Sequence, residues 1–353
     1  LLRPELFAIQ LLKWYEHQKR DLPWRNTTDP YLIWLSEIIL QQTRIAQGLP
    51  YYQRFVQAFP TVYELAEASE AQVLRLWQGL GYYSRARNLH ACAQIIVNNY
   101  DGNFPTSYHE LLQLKGVGKY TAAAISSFAY NAPHAVVDGN VFRVLSRVFG
   151  ITSDISEAKS FQEFESKANE LIDKEQPALF NQAIMDFGAL QCSPKKPACA
   201  LCPLSDQCYA FNHGMIADLP VKSKKVKVKK KFFSYLVLEY NDNYCLKERG
   251  AKDIWQGLFD FPLIDSEREM DQEEVLNQII KTDQIVLTGV TPTIKHVLTH
   301  RHIFARFYRL EVKDLNTFEK LKRTYSCGSF TANEIQALPK PILIENYLKE
   351  EVF

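Results

Sequence analysis

The chain has 353 residues, with 41 Lys and Arg against 40 Asp and Glu, a net charge of +1. That length supports two or three domains with real cores, and the balanced charge excludes a global field, so contact with a polyanion must come from local patches. No apolar run is long enough to span a bilayer and no N-terminal apolar segment of the exported kind stands out, so the expectation is a soluble, cytoplasmic protein.

Residues 1–20 predict a helix, with Leu2, Leu6, Ile9, Leu12, Trp14 and Tyr15 in helix-like but imperfect spacing. Asp21-Leu-Pro-Trp-Arg25 ends it, and Trp24 beside Arg25 sets a flat apolar face next to a fixed charge. In the following stretch Thr28 or Asp29 can cap a second helix and Pro30 suits its first position. Glu37 falls inside that helix among Ile33, Trp34, Ile38 and Leu40. Most helical glutamates are simply solvated; one in apolar surroundings has its charged form disfavoured and can hold a proton near neutral pH. Gln41, Gln42, Thr43 and Arg44 close the helix with polar groups able to reach base edges. From Tyr51 to Tyr100 the pattern stays helical, broken by Gly79-Leu-Gly-Tyr-Tyr-Ser-Arg85. A planar ring on such a loop can wedge between base pairs, or the tyrosines pack on a neighbouring helix.

The stretch Leu114 to Arg147 joins two features. Gly116 and Gly118 flank Val117 before the alanine-rich Tyr120-Thr-Ala-Ala-Ala, with Tyr108, Leu111, Leu112 and Leu114 ahead of them, so the unit predicts helix, hairpin, helix. Backbone N–H groups at such a helix start accept a phosphate oxygen without reading a base; the plain alternative is a glycine turn between packed helices. Downstream, Asp138 follows an apolar run at the mouth of a new helix, either as its N-cap or as a carboxylate held against a nucleic-acid sugar.

Of the seven cysteines, Cys192, Cys199, Cys202 and Cys208 are separated by six, two and five residues, while Cys92, Cys245 and Cys327 stand singly. That distribution suits one metal site in a reducing compartment rather than a disulfide framework; zinc and a 4Fe-4S cluster both accept four thiolates, and the donor set by itself leaves the two open. The run Lys222 to Lys231 predicts a solvated linker able to lie along phosphates. Beyond it the texture alternates, in FFSYLVLEY, NYCLKERG, GLFDFP and VLTHRHIFARFYRLEV, predicting strands around one or two helices, an α+β domain of about 120 residues. His296, Thr299, His300 and His302 cluster there; without a carboxylate or cysteine in step they are more often surface groups than metal ligands.

LKGVGKY followed by VDGNVFRV resembles the helix-hairpin-helix and aspartate signature of the base-excision DNA glycosylases, and within them the MutY-type adenine glycosylases. The cysteine spacing, with proline after the third cysteine, is similar to the cluster loop of endonuclease III and MutY proteins, and RGAKDIWQGLFDFP resembles the Nudix-like domain that closes MutY proteins. The resemblance covers nearly the whole chain and is weakest in the last third. It implies a multidomain protein, with all-α helix-hairpin-helix lobes and an iron-sulfur loop followed by a C-terminal α+β Nudix-like domain. The implied division is 1–22 (a helix packing with the cluster lobe), 23–130 (with the hairpin), 131–221 (cluster lobe), 222–231 (linker) and 232–353 (recognition domain). It implies a 4Fe-4S cluster on Cys192, Cys199, Cys202 and Cys208, with Lys195 and Lys196 carried nearby for phosphates.

The same resemblance implies base-excision repair in which adenine mispaired with 8-oxoguanine or guanine in duplex DNA is flipped out and removed hydrolytically by a monomer associated with the nucleoid. Glu37 protonates the leaving purine, Asp138 stabilises or traps the sugar cation, and Tyr120 and Asn140 orient Asp138 or the water. Gln42 and Thr43 fill the gap and touch the opposite base, Leu80 and Tyr82 wedge the stack, and Arg85 and Arg87 lie close to phosphates. Arg25 lies at the rim of the base pocket on the DNA side, Gly116 and Gly118 hold the backbone, and Thr299 and His300 stand where many MutY proteins carry Phe-Ser-His as a probe of the opposite base. Endonuclease III has a lysine where this chain has Tyr120, which cannot form a Schiff base, so the strand stays intact. A nucleotide-pool Nudix hydrolase is disfavoured because Ser266 to Glu274 is acidic without the required spacing and glycines; a non-catalytic DNA-binding protein would need neither Glu37 nor Asp138.

Overall fold

The computed structural model describes residues 3–223, 228–279 and 282–351. Leu2 and part of the expected lysine linker lie outside them. Two compact units divide the chain: Leu1–Glu67 with Asn88–Lys224, and Ala68–Arg87 with Lys225–Phe353.

The first unit is helical. Its central helix, Pro30–Leu40, starts where Asp29 Oδ1 accepts from Tyr31 N at 2.8 Å and proline takes the first turn. Apolar residues surround it on every side, and Tyr31, Ile33, Trp34, Leu35, Ile38 and Ile39 are all buried, so a carboxylate on it is largely desolvated. The helix ends at Leu40 rather than running through Arg44: Gln41 and Gln42 form a turn, with Gln42 in the left-handed region at φ 54°. The N-terminal helix Pro4–Gln18 buries Phe7, Ala8, Leu11 and Tyr15 in one core with Val141, Val144, Leu145, Phe164, Phe180 and Phe187. That core surrounds the helix Gly139–Phe149, whose apolar face is complete and whose end is turned by Gly150 at φ 71°.

The second unit is a mixed sheet. Its strands are β1 (Lys229–Tyr240), β2 (Asn243–Glu248), β3 (Phe259–Asp260), β4 (Leu263–Ser266), β5 (Ile285–Val290), β6 (Ile294–Val297), β7 (Arg301–Val312) and β8 (Gly328–Thr331). The order is β3-β2-β1-β7-β5, with β4 on β1, β6 on β7 and β8 on β2, and the central β1 and β7 run parallel. Asn241 and Asp242 both take positive φ between β1 and β2, the two-residue hairpin chemistry that matches strand twist. The helices Gln272–Leu276 and Leu315–Tyr325 contribute Val275, Phe318 and Leu321 to a core with Leu236, Leu238, Tyr308 and Leu310. Tyr347, on the helix Ile342–Glu351, stacks on Phe307 at 3.9 Å.

Three details correct or fill in the sequence expectation. Lys229, Lys230 and Lys231 belong to β1 and are not linker, because their backbone pairs with Arg301, His302 and Ile303. The acids of Ser266 to Glu274 serve the fold: Asp271 and Glu274 make a capping box, Glu274 also holds Arg268, and Glu269 pairs with Arg306. The segment 68–87, read from sequence as part of an all-helical domain, joins the sheet unit. There Arg87 Nη1 donates to Gln256 O at 2.8 Å and Gln78 Oε1 accepts from Lys340 N at 3.0 Å. Gly257, at φ 81°, lies so close to Leu74 that an added Cβ would sit 2.9 Å from its methyl.

Candidate active site

Glu37 and Asp138 line one cavity of about 410 Å³ in the first unit, together with Arg25, Thr43, Tyr120, Asn140, Gln182 and Met185. That volume lies within the range of small-molecule sites. Glu37 is 7% exposed. Burial, with the charge of Asp138 added, pushes its carboxyl up to about 7, while the Tyr120 hydroxyl and the charge of Arg25 pull the other way. The Tyr120 hydroxyl also lies 3.5 Å from Met185 Sδ, and burial beside the two carboxyls raises its own pKa well above the phenol range, so it stays a donor.

Asp138 is held differently, although burial leaves its pKa, like that of Glu37, raised above the usual value. Its Oδ1 accepts from the backbone N–H groups of Asn140 at 2.9 Å and Val141 at 2.8 Å, and its Oδ2 accepts from Asn140 Nδ2 at 2.8 Å. Burial raises its pKa, whereas these three donors and the charge of Arg143 act to lower it. The residue is therefore both the N-cap of the helix Gly139–Phe149 and a member of the cavity. What aims it is Asn181, fully buried, which accepts from Val136 N at 3.1 Å and donates to His134 O at 2.9 Å and Ser127 Oγ at 2.8 Å. This clamps the run leading into Asp138. Sequence reasoning passed over Asn181; an asparagine in an apolar helical run was the available signal.

Arg25 does not offer a free cation to DNA. Its guanidinium is committed to the fully buried Asp186, with Nη1 to Oδ2 at 2.5 Å and Nη2 to Oδ1 at 2.7 Å, and Arg20 binds the same carboxylate. Burial would raise the Asp186 pKa, but the two arginines hold it lowered. Tyr15 receives Arg25 Nη1 at 3.3 Å and donates to Gln182 Oε1 at 3.0 Å, so this ionic knot fixes one wall of the cavity. Arg20, Asp186 and Gln182 were not foreseen, since their partners are more than a hundred residues away in sequence.

In the hairpin, Tyr108–Leu111 is a single turn and Lys119–Tyr130 the full helix. Gly116 sits at φ 77°, and a Cβ there would meet Asn88 Cβ at 2.9 Å. Gly118 is the N-cap, exposed, with open space around it and no side chain capping the turn that follows, so the first N–H groups of the helix stay open to an anion.

All four clustered cysteines are free thiols on one loop. Among the described residues no three His, Cys, Asp or Glu side chains are drawn into a closed ligand shell. Burial and the neighbouring thiols push Cys199, Cys202 and Cys208 up, Cys202 to about 11, so only a bound cation would keep them as thiolates; four sulfur donors without hard ligands fit a thiophilic metal centre. Two buried arginines pin this loop to the helix that Asp138 caps. Arg143 donates to Cys192 O at 2.7 Å and to Asn140 Oδ1 at 2.8 Å. Arg147 donates to Ser193 O at 2.8 Å and Leu219 O at 3.0 Å, and its own carbonyl accepts from Cys208 Sγ.

Known proteins share this chain's sequence and fold. The description "HhH-GPD superfamily base excision DNA repair protein" matches residues 35–170, and "NUDIX domain" matches 234–350. The adenine DNA glycosylase of Buchnera aphidicola subsp. Schizaphis graminum is 35% identical over 96% of this chain and 96% of its own. This chain belongs to the adenine DNA glycosylases. The adenine DNA glycosylase of Homo sapiens is 44% identical over 58% of this chain and 39% of its own length. Among solved structures, a thermostable thymine-DNA glycosylase is 30% identical with a TM-score of 0.55, covering 60% of this glycosylase and 97% of that chain. An endonuclease III trapped on DNA, 23% identical with a TM-score of 0.54, shares the fold over 61% of this chain and the whole of its own.

Most of the remaining residues expected from the sequence to meet DNA lie in the second unit. Thr299 and His300 form the exposed two-residue tip between β6 and β7, closed by Leu298 N to Arg301 O at 2.8 Å. Tyr82, exposed and at φ 50°, reaches Thr299, hydroxyl to hydroxyl, at 2.5 Å. Leu80 is not an available wedge: it is 6% exposed, because the positive φ of Gly79 and Gly81 turns it inward while Tyr82 turns out. Arg85 lies over the rings of Trp77 and Tyr82 with Nη2 donating to Gly81 O, and Arg87 donates to Gln256 O, so each guanidinium is partly committed within the unit. In the first unit Gln42 is exposed after its left-handed turn, and Thr43 faces the cavity. No described helix is long and apolar enough to cross a membrane.

Proposed function

We propose that this chain removes adenine from duplex DNA where it stands opposite 8-oxoguanine or guanine, by hydrolysis of the N-glycosyl bond without cutting the strand. One observation carries the reading: a carboxyl that holds its proton up to about pH 7 shares a cavity with a second carboxyl gripped by three N–H donors. A carboxyl protonated near neutrality beside a second one whose N–H donors favour its charged form is the arrangement that glycoside cleavage uses.

Glu37 gives its proton to N7 of the flipped adenine. The bond between the sugar and N9 then breaks with its electron pair leaving on a neutral purine. The sugar is left as an oxocarbenium ion, and ionised Asp138, oriented by Asn140, stabilises it or bonds to it transiently. Water adds at the same carbon, and its proton returns to the Glu37 carboxylate, which restores the starting state. Tyr120 donates toward Glu37 and has no amine, so it offers no Schiff base and no strand cleavage. Gly116 and Gly118 hold the backbone, Gln42 and Thr43 occupy the vacated stack, and Tyr82, Thr299 and His300 meet the opposite base.

Cys192, Cys199, Cys202 and Cys208 would hold a 4Fe-4S cluster, which when bound supplies a rigid thiolate cross-link to the loop that Arg143 and Arg147 tether. The protein should be brown and carry iron; a colourless anaerobic preparation with about one zinc per chain would overturn the assignment.

The function is tested on duplexes with adenine opposite 8-oxoguanine, guanine or thymine. Free adenine should appear with the first two, and the strand should break only after alkali. Cleavage without alkali, or high-yield borohydride trapping, would require an attacking amine, with Lys119 and Lys115 the first to replace.

A further inference from the structure

We propose that one face of the second unit's sheet is a seat for the DNA phosphate backbone, with Lys230 and Lys295 as its cations, positioning the duplex beside the Thr299–His300 tip without reading sequence. Register defines the face. Lys230 pairs with His302 and Phe232 with Phe304 across β1 and β7; Val297 pairs with His302 and Lys295 with Phe304 across β6 and β7. Cross-strand partners and residues two apart point the same way, so these six side chains form one surface three strands wide.

Farther along the strands, the same face carries Leu236, Leu238, Tyr308 and Leu310 into the helix-covered core. Near the tip it is open: Lys230 and Lys295 are exposed, Val297 is 60% exposed, and the two phenylalanines are half-buried. The Phe232 and Phe304 rings stack at 5.2 Å, and Lys295 Nζ sits 6.0 Å from the Phe304 centroid, so a stiff ring pair supports one of the cations. The neighbouring acids are already used. Glu269 pairs with Arg306 at 2.8 Å, and Asp265 pairs with Lys231 and lies opposite Phe233, on the other face. Among the described residues neither Lys230 nor Lys295 has an acidic partner.

A face whose acid Glu269 is spent on Arg306 and whose two lysines have no acidic partner among the described residues suits a polyanion, and two of its three strands carry the tip. Lys229 N donates to His300 O at 3.0 Å, so the start of β1 is fastened to that turn as well. The inference rests on the reading that Thr299 and His300 meet the base opposite adenine, which places the adjoining strand surface along the same backbone.

The test uses full-length protein carrying Lys230→Gln, Lys295→Gln and both, with Lys→Arg controls. Dissociation constants are measured between about 50 and 200 mM salt, for adenine opposite 8-oxoguanine and opposite guanine. The expected result is a slope of log affinity against log salt shallower by about 1 per lysine, equal loss for both opposite bases, and recovery with arginine. An unchanged salt slope overturns the seat and assigns the face to some other partner, such as an acidic protein. A loss confined to one opposite base also overturns it, since the face would then be reading. Variants of Thr299 and His300, which should alter the ratio between the two bases and leave the salt slope alone, keep failure of the seat distinct from failure of the tip.

Discussion

The cavity of the first unit and the β6–β7 tip of the second are built on opposite principles. In the cavity Glu37 is 7% exposed, Asp138 receives three N–H groups, and Arg25 is locked on Asp186. At the tip Thr299 and His300 stand exposed, with the Tyr82 hydroxyl resting on Thr299. Proton delivery needs a carboxyl kept from water, because desolvation is the main cause that lifts its pKa toward neutrality. Reading a base needs donors and acceptors still free to be spent on it. Damage to the first region should therefore remove the reaction, and damage to the second should change only its selectivity.

The largest expected effects fall on the two carboxyls. Glu37→Gln should bind duplex and lose about 100-fold or more of the single-turnover rate, and because it removes a buried carboxyl whose ionised form is disfavoured, it should unfold at the same or a higher temperature at pH 8. A rate above about a tenth of the original would dismiss the proton donor. Asp138→Asn keeps a competent helix cap, so stability should hold while the rate falls by about 100-fold or more; near-original activity would leave Asp138 a cap alone.

Acidity separates the regions next. A donor with a carboxyl near 7 must be protonated, so the rate at saturating enzyme should fall as pH rises through about 7. The same group contributes to folding stability with a fixed sign: its folded pKa is raised, so the folded state holds the proton more tightly and its contribution weakens as pH rises from about 4.5 to about 7. Glu37→Gln should abolish that slope in a thermal-unfolding series. Protonation of Glu37 is common to both opposite bases and cancels in their ratio, so in a His300→Ala protein discrimination should stay level through about pH 7; a ratio that follows pH with the rate there would merge the two regions.

Smaller changes belong to the tip. Thr299→Ala and His300→Ala should each narrow the preference for 8-oxoguanine over guanine by about fivefold, one polar contact apiece, with base release retained. Deleting the C-terminal residues is a poorer test, because segment 68–87 packs against them through Leu74, Gln78 and Arg87 and would lose its support. The least effect should come from Tyr82→Phe, which keeps the ring and removes only the hydroxyl held by Thr299. Its cost should stay within about 1 kcal/mol, read in discrimination rather than rate.

Local chemistry was legible in the sequence. Asp29 and Pro30 start a helix, Gly116 needs its positive φ, Asp138 caps the helix that follows it, and four cysteines share one loop, all within a few residues of chain. Glu37 could be placed among apolar neighbours because its helix carries them on every side. Tertiary structure alone decided that Arg25 turns to Asp186 across 161 residues, that Asn181 clamps the run before Asp138 across 45, and that Tyr82 meets Thr299 across 217. It also decided that Leu80 is buried while Tyr82 is not, and that 68–87 joins the sheet. The physical reason is range. Capping, turn chemistry and periodicity act between residues near in the chain, whereas the partner of a buried charge or amide is whichever group folding brings to it.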